Sequence, residues 1–194
     1  MKSIAVFCGA NAGTRPIFRD TCVRLGQLFA SKNIRLVYGG GSVGLMNIMA
    51  NAVLDAGGTV TGVIPTFLAE KEVANEQVTE LIKVASMHER KTIMYERSEG
   101  VITLPGGFGT MDELCEMLTW SQLGLHNKPI GILNVDGYYN GLIQLFDSMV
   151  KEGFLKQENR SLALFSDSID ELIPLMENIR PLNRDQWMSK TQDT

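Results

Sequence analysis

Val101-Ile102-Thr103-Leu104-Pro105-Gly106-Gly107-Phe108-Gly109-Thr110-Met111-Asp112-Glu113 is the stretch from which the architecture follows. A short run rich in β-branched residues passes through three glycines into residues that read as a helix. Ile34-Arg35-Leu36-Val37-Tyr38-Gly39-Gly40-Gly41-Ser42-Val43-Gly44 repeats the arrangement earlier in the chain. Strand, glycine turn and helix in succession form the unit of a parallel sheet with crossover helices. Glycine also lets the main chain approach a ligand, and a helix N-terminus offers unpaired N–H groups with partial positive charge. Two such turns point to an anionic ligand, most simply a phosphate.

Working outward, further short apolar runs alternate with helical patterns. Strands are expected at 4–8, 34–38, 59–64, 101–104 and 130–134, with weaker signals at 80–84 and 161–165. The first five are each short, rich in Val and Ile, and bounded by Gly, Pro or Asn, as in strands buried on both faces. Helices are expected at 16–32, 44–56, 87–97, 110–123, 138–152 and 169–178. The alternation predicts an α/β, Rossmann-like three-layer fold, with a mostly parallel central sheet and helices on both faces. Both glycine turns then fall at the carboxyl ends of strands, where such sheets bind ligands. Residues 65–83, with Glu70, Lys71, Glu72, Glu76 and Glu80, read as an irregular, mobile loop near those ends. Residues 1–180 read as a single nucleotide-binding domain, and 181–194 as a loosely ordered polar tail.

Bulk properties narrow the class. The 194 residues are 44% hydrophobic and 21% charged, with a net charge of −4, which argues against broad electrostatic binding to nucleic acid. No apolar run approaches a membrane span, and the apolar start is too short for a signal peptide. Three scattered cysteines, Cys8, Cys22 and Cys115, fit reduced, buried thiols in a cytoplasmic protein. With two distant histidines, they form no metal cluster.

Each motif has a competing reading. Gly39-x-Gly41-x-x-Gly44 matches the dinucleotide fingerprint, but the next strand ends Gly62-Val63-Ile64-Pro65-Thr66 without the acidic residue that a ribose requires. No Gly-Lys-Ser or Gly-Lys-Thr supports a P-loop. The glycines could instead serve tight strand–helix packing. Thr110-Met111-Asp112-Glu113 has the spacing of a capping box, as does Ser86-Met87-His88-Glu89. Arg90 and Lys91 fall in a first helical turn, where positive charge opposes the dipole, so an anionic partner would suit them; a solvated pair of basic side chains is the competing reading. His88 reads as an exposed or capping residue, with a place lining the site as the alternative, and His126 reads as a loop residue. Met46, Met49, Met94 and Met117 read mostly as adaptable core filling, with a pocket wall for a flat base as the alternative for some of them.

Three segments together resemble the LOG (Lonely Guy) family of cytokinin-activating phosphoribohydrolases. They are Tyr38-Gly39-Gly40-Gly41-Ser42-Val43-Gly44-Leu45-Met46, Ser86-Met87-His88-Glu89-Arg90-Lys91 and the 105–113 signature. The stretches Thr119-Trp120-Ser121-Gln122-Leu123-Gly124 and Asn134-Val135-Asp136-Gly137-Tyr138-Tyr139 are also similar. The resemblance spans about residues 1–180. It implies hydrolysis of the N-glycosidic bond of adenosine 5′-monophosphate or an N6-substituted derivative, giving free base and ribose 5-phosphate. It implies no cofactor, and a homodimer with sites near the subunit interface. Phe108 and Asp112 stand where the family often has Tyr and Glu. Related sequences are often labelled lysine decarboxylases, but no lysine here sits in a setting suited to a pyridoxal Schiff base.

The roles expected on this resemblance are specific. Arg90 and Glu113 are catalytic, while Glu72, Met87, Lys91, Asp112 and Thr119 contact substrate. Gly106, Gly107, Phe108, Gly109 and Thr110 seat the phosphate, helped by Gly40, Gly41, Ser42 and Gly44. A nucleotide-binding carrier or sensor of the same fold is the alternative. It would need the glycine turns but not Arg90 and Glu113 together.

Overall fold

The structure, a computed structural model, describes residues 1–72 and 74–179. The chain alternates β1 (Ser3–Phe7), α1 (Pro16–Ser31), β2 (Arg35–Tyr38), α2 (Gly44–Asp55), β3 (Val60–Pro65), α3 (Thr66–Glu72), β4 (Glu80–Val84) and α4 (Met87–Glu96). It continues with β5 (Gly100–Thr103), α5 (Phe108–Gln122), β6 (Ile130–Leu133), a 3-10 turn (Val135–Gly137), α6 (Asn140–Lys151), α7 (Gln157–Arg160), β7 (Ala163–Ser166) and α8 (Ile169–Glu177). All seven strands are parallel, in the order β4-β3-β2-β1-β5-β6-β7. The expected three-layer, Rossmann-like fold is therefore present, and all seven strand signals correspond to strands. No helix among the described residues is long and apolar enough to cross a membrane.

Alternation along each strand feeds two cores. Ile4, Val6, Leu36, Tyr38 and Ile102 face one layer with α1, α2 and α8. Ala5, Phe7, Val37, Val101 and Ile132 face the other with α4, α5 and α6. Strands covered on both faces need this two-sided apolar pattern. The chain steps outward from β1 to β4, and α4 then carries it back to β5 beside β1. The loops after β1 and β5 thus diverge at the one reversal of winding, leaving a crevice between them.

Local readings fare unevenly. The 65–83 segment is not wholly irregular, because Thr66–Glu72 forms a helix directly after β3. α5 begins at Phe108 with Gly107 as its N-cap, two residues before the expected start. The Thr110/Glu113 capping box consequently does not form, and both residues are buried. The Ser86 box forms in altered shape: the Ser86 hydroxyl accepts from Glu89 N–H, while the Glu89 carboxylate accepts from Ala85 N–H. His126 falls in the loop between α5 and β6, as expected. It is buried there, with Nε2 at 3.0 Å from the Met117 carbonyl and Nδ1 accepting from Lys128 N–H. Of the three cysteines, Cys8 and Cys22 are buried as expected, but Cys115 is exposed on α5. The 181–194 tail lies outside the described residues.

Candidate active site

A cavity of about 530 Å³ opens in the crevice between β1 and β5. Its floor is the start of α5, since Pro105, Gly106, Gly107, Phe108, Gly109 and Thr110 all line it. With Gly107 as N-cap, the N–H groups of Phe108, Gly109 and Thr110 have no intrahelical partner. A Cβ on Gly107 or Gly109 would meet nothing within 4 Å, so their bare backbone faces open space. Gly106 has a different reason to be glycine: a Cβ there would lie 2.1 Å from Thr110 Oγ1 and 2.8 Å from Gly9 N. One glycine packs the turn, and the other two keep it accessible.

The opposite wall belongs to α4. Arg90 is buried, with Nη2 donating to the Gly39 carbonyl at 3.1 Å and Nη1 lying 3.8 Å from Met87 Sδ. Gly39 is what admits this guanidinium, because a Cβ there would sit 1.7 Å from Nη2. Arg90 Nε is buried without a partner among the described residues. Nη1 stands 4.0 Å from Glu113 Oε1, close enough to attract and too far to hydrogen-bond. Both groups therefore keep hydrogen-bonding capacity toward the cavity that they line.

Burial is the largest influence on Glu113. It pushes the carboxyl from 4.5 up to about 7, Arg90 and Lys91 pulling down while Asp112 and Glu116 push further up. A carboxyl poised near neutrality in a cleft is a usual mark of catalytic use. Cys8, also in the lining, is held as a neutral thiol, chiefly by burial and further by Cys22 and Glu113, with Arg90 opposing.

The remaining sequence-predicted residues divide into two groups. Met87 and Asp112 line the cavity. Lys91 lies outside that lining, its Nζ 3.0 Å from Glu116 and 3.3 Å from Asp112. Burial alone would lower its pKa, but those two carboxylates outweigh it and raise it. Thr119 is exposed beyond the cavity, donating to the Cys115 carbonyl at 2.7 Å. Gly40, Gly41, Ser42 and Gly44 do not line the cavity either. Gly44, at φ +56°, lets the loop after β1 pack against the start of α2, where a Cβ would lie 2.3 Å from the Ala10 carbonyl carbon. Ser42 lines a separate polar cleft with Asn47, Asn51 and Asn75. Glu72 closes α3, and its side chain lies outside the described part.

Sequence reasoning missed the loop after β1 and the residue Tyr138. Gly9, Asn11, Gly13 and Phe18 line the cavity, and Leu45 N–H donates to the Gly9 carbonyl at 3.0 Å. The signal was present in Cys8-Gly9-Ala10-Asn11-Ala12-Gly13, a third glycine-bearing turn after a strand.

Comparison with known proteins bears on the family and the fold. A family model described as "Possible lysine decarboxylase" matches residues 46–176. A pyridoxal decarboxylase needs a Schiff-base lysine, and no described lysine lines the cavity, so the residues do not fit that cofactor. An Oryza sativa relative named "Probable cytokinin riboside 5'-monophosphate phosphoribohydrolase LOGL1" is 52% identical, over 90% of this chain and 78% of its own length. The cytokinin riboside 5'-monophosphate phosphoribohydrolase LOG5 of Arabidopsis thaliana is 45% identical, over 94% and 80%. The molybdenum cofactor carrier protein of Chlamydomonas reinhardtii has a TM-score of 0.67 over 90% of this chain and 95% of that one; at 21% identity it shares the fold. With the family model matching across 46–176 and such identity along nine-tenths of its length, the chain belongs to the family that contains the LOG phosphoribohydrolases.

Proposed function

We propose that this protein hydrolyses the N-glycosidic bond of adenosine 5′-monophosphate or an N6-substituted, cytokinin-type derivative. The observation that carries this reading is a buried carboxyl poised near neutrality beside a buried guanidinium, both facing a cavity floored by a helix N-terminus. The phosphate rests on the N–H groups of Phe108, Gly109 and Thr110, where donors and helix dipole both favour an anion. Anchoring at that remote group orients the ribose, so binding energy serves the bond to be broken.

Cleavage sends the electron pair of the C1′–N9 bond to the base and leaves positive charge on the ribose ring. Glu113, as carboxylate, stabilises that charge and orients the attacking water. The water oxygen bonds to C1′, and its proton leaves for the departing base. Arg90 donates to the base as negative charge develops there, from a fork that stays protonated. Met46, Met87 and Leu68 supply an apolar wall for the base. Asp112 contacts substrate while tied to Lys91, and Lys91 acts from behind it.

On this reading residues 1–180 form one catalytic unit. It works in the cytoplasm as a homodimer with each site near the interface, without nucleic acid or membrane partners. Exposed Leu123 and Leu125 beyond α5 would suit a subunit contact. A carrier of the same fold would have no task for a poised, buried acid.

The test is incubation with AMP, isopentenyladenosine 5′-monophosphate and their nucleosides, followed by chromatography for free base. Base released from the nucleotides but not the nucleosides is expected. Nucleotide binding without release of base would move the assignment to a carrier or sensor.

A further inference from the structure

The segment Asn134-Val135-Asp136-Gly137-Tyr138-Tyr139 has no part in the mechanism above, yet it reaches the floor of the cavity from the β6–α6 connection. Tyr138 Oη donates to the Gly106 carbonyl at 2.7 Å, and Tyr139 Oη donates to the Leu104 carbonyl at 2.7 Å. Between them, the Pro105 carbonyl accepts from Gly9 N–H at 3.1 Å. Three consecutive carbonyls before α5 are thus each occupied by a donor. The next carbonyl, of Gly107, accepts from Met111 N–H inside the helix.

This matters because an anion seat needs N–H groups forward and carbonyl oxygens turned away. A carbonyl freed of its donor keeps its lone pairs and can swing toward the ligand, where its dipole opposes negative charge. The tyrosines are themselves held. Tyr139 N–H donates to Asn134 Oδ1 at 2.7 Å, and Asn134 Nδ2 donates to Asn140 Oδ1 at 2.9 Å. Burial also pushes the Tyr139 hydroxyl pKa upward, keeping it a donor. Tyr138 packs edge-on against Phe18 and Tyr139, at 5.7 and 4.9 Å between centroids. Arg15 pairs with Asp136, joining the start of α1 to the same connection. Asp136 holds a left-handed φ of 49°, a conformation that persists where its surroundings impose it.

We propose that Tyr138 and Tyr139 are positioning residues for phosphate recognition: their hydroxyls hold the Leu104 and Gly106 carbonyls back, so that the turn presents only N–H groups to the anion. The inference rests on the phosphate seat assigned above, and its test is separable from base release.

Tyr138→Phe and Tyr139→Phe keep the rings and remove one donor each. Binding of ribose 5-phosphate and of adenosine to the full chain would be measured by calorimetry, alongside AMP kinetics. The expected result is ribose 5-phosphate affinity about five- to tenfold weaker in either variant, the size of one lost hydrogen bond. Adenosine affinity should stay within about twofold, and KM for AMP should rise by more than kcat falls. A merely structural role would weaken both ligands alike or lower only the melting temperature, and either result overturns the proposal. Should Tyr139→Phe fail to fold, the more exposed Tyr138→Phe decides alone. Selective weakening in a protein that releases no base would uphold the brace and sink the hydrolase reading. Wild-type protein that does not bind ribose 5-phosphate would sink the brace, whatever base release shows.

Discussion

Glu113 and Gly39 show how single residues here answer to chemistry more than to the fold. Burial makes the Glu113 carboxyl prefer its neutral form in the folded chain, with a pKa of about 7 against 4.5. The folded state then binds the extra proton between those values, so stability is fullest below about 4.5 and falls as pH rises to about 7. At 1.36 kcal/mol per unit the loss is about 3 kcal/mol above neutrality. Glu113→Gln removes that titration, and should be more stable than wild type at pH 8 by up to this amount, with little difference at pH 4.5. Its turnover should fall about 10²–10⁴-fold. Denaturant unfolding at the two pH values and base-release rates would check both, and retention of a tenth of the activity would remove Glu113 from its role. Because the carboxylate is the working form, wild-type kcat/KM should rise with pH through a midpoint near 7. Gly39→Ala would place a methyl where the Arg90 guanidinium lies. Its rate should drop about 10²–10³-fold, as when a transition-state donor is removed. A near-native rate would show that Arg90 works from another position.

At the scale of the element, α5 carries the clearest separation of stability from function. Gly109 lies in its first turn with open space around its Cβ position and no need for a left-handed φ. Alanine suits a helix better than glycine, so Gly109→Ala should stabilise the fold by about 0.5–1 kcal/mol. The same methyl enters the space assigned to the anion, so KM for AMP should rise several-fold. Unfolding curves and kinetics on one preparation would test the pair, and a stabilised variant with unchanged KM would move the phosphate elsewhere. The five inner strands were legible in the sequence because both faces are buried and each reads as an apolar run between breakers, whereas the partly exposed edge strands β4 and β7 gave the weaker signals. The start of α5 was misplaced because Thr110-x-x-Glu113 imitates a capping box, whereas Gly107 caps through backbone alone. Thr66–Glu72 escaped notice because its charged residues mask so short a helix. Arg90 and Glu113 could be named from their motifs, but the reason for Gly39 could not, since it lies 51 residues from Arg90 along the chain. The loop position of His126 was legible, but its burial against the Met117 carbonyl was not, because a partner within α5 leaves no mark in the local sequence.

Across the whole molecule, the cavity stands where two halves of one sheet diverge. β2, β3 and β4 extend from β1 to one side, and β6 and β7 extend from β5 to the other. The loop after β1 joins the two glycine turns, with Gly9 N–H donating to Pro105 and Leu45 N–H donating to the Gly9 carbonyl. A ligand seated there touches α4 and α5 at once and binds only the folded arrangement. Binding that is exclusive to the folded state adds about 2.7 kcal/mol at a ligand concentration one hundred times Kd. For a chain of this length that amounts to a rise in Tm of about 5–10 °C. Glu113→Gln protein, which should not consume its ligand, is the right material for the measurement. AMP should give the full shift, and adenosine at the same concentration much less, because it lacks the group that α5 is built to hold. NAD should give none, since no acidic residue ends β3 to receive a ribose. Equal shifts from AMP and adenosine would mean that the helix N-terminus does not read the phosphate, and the phosphate-anchored mechanism would lose its basis.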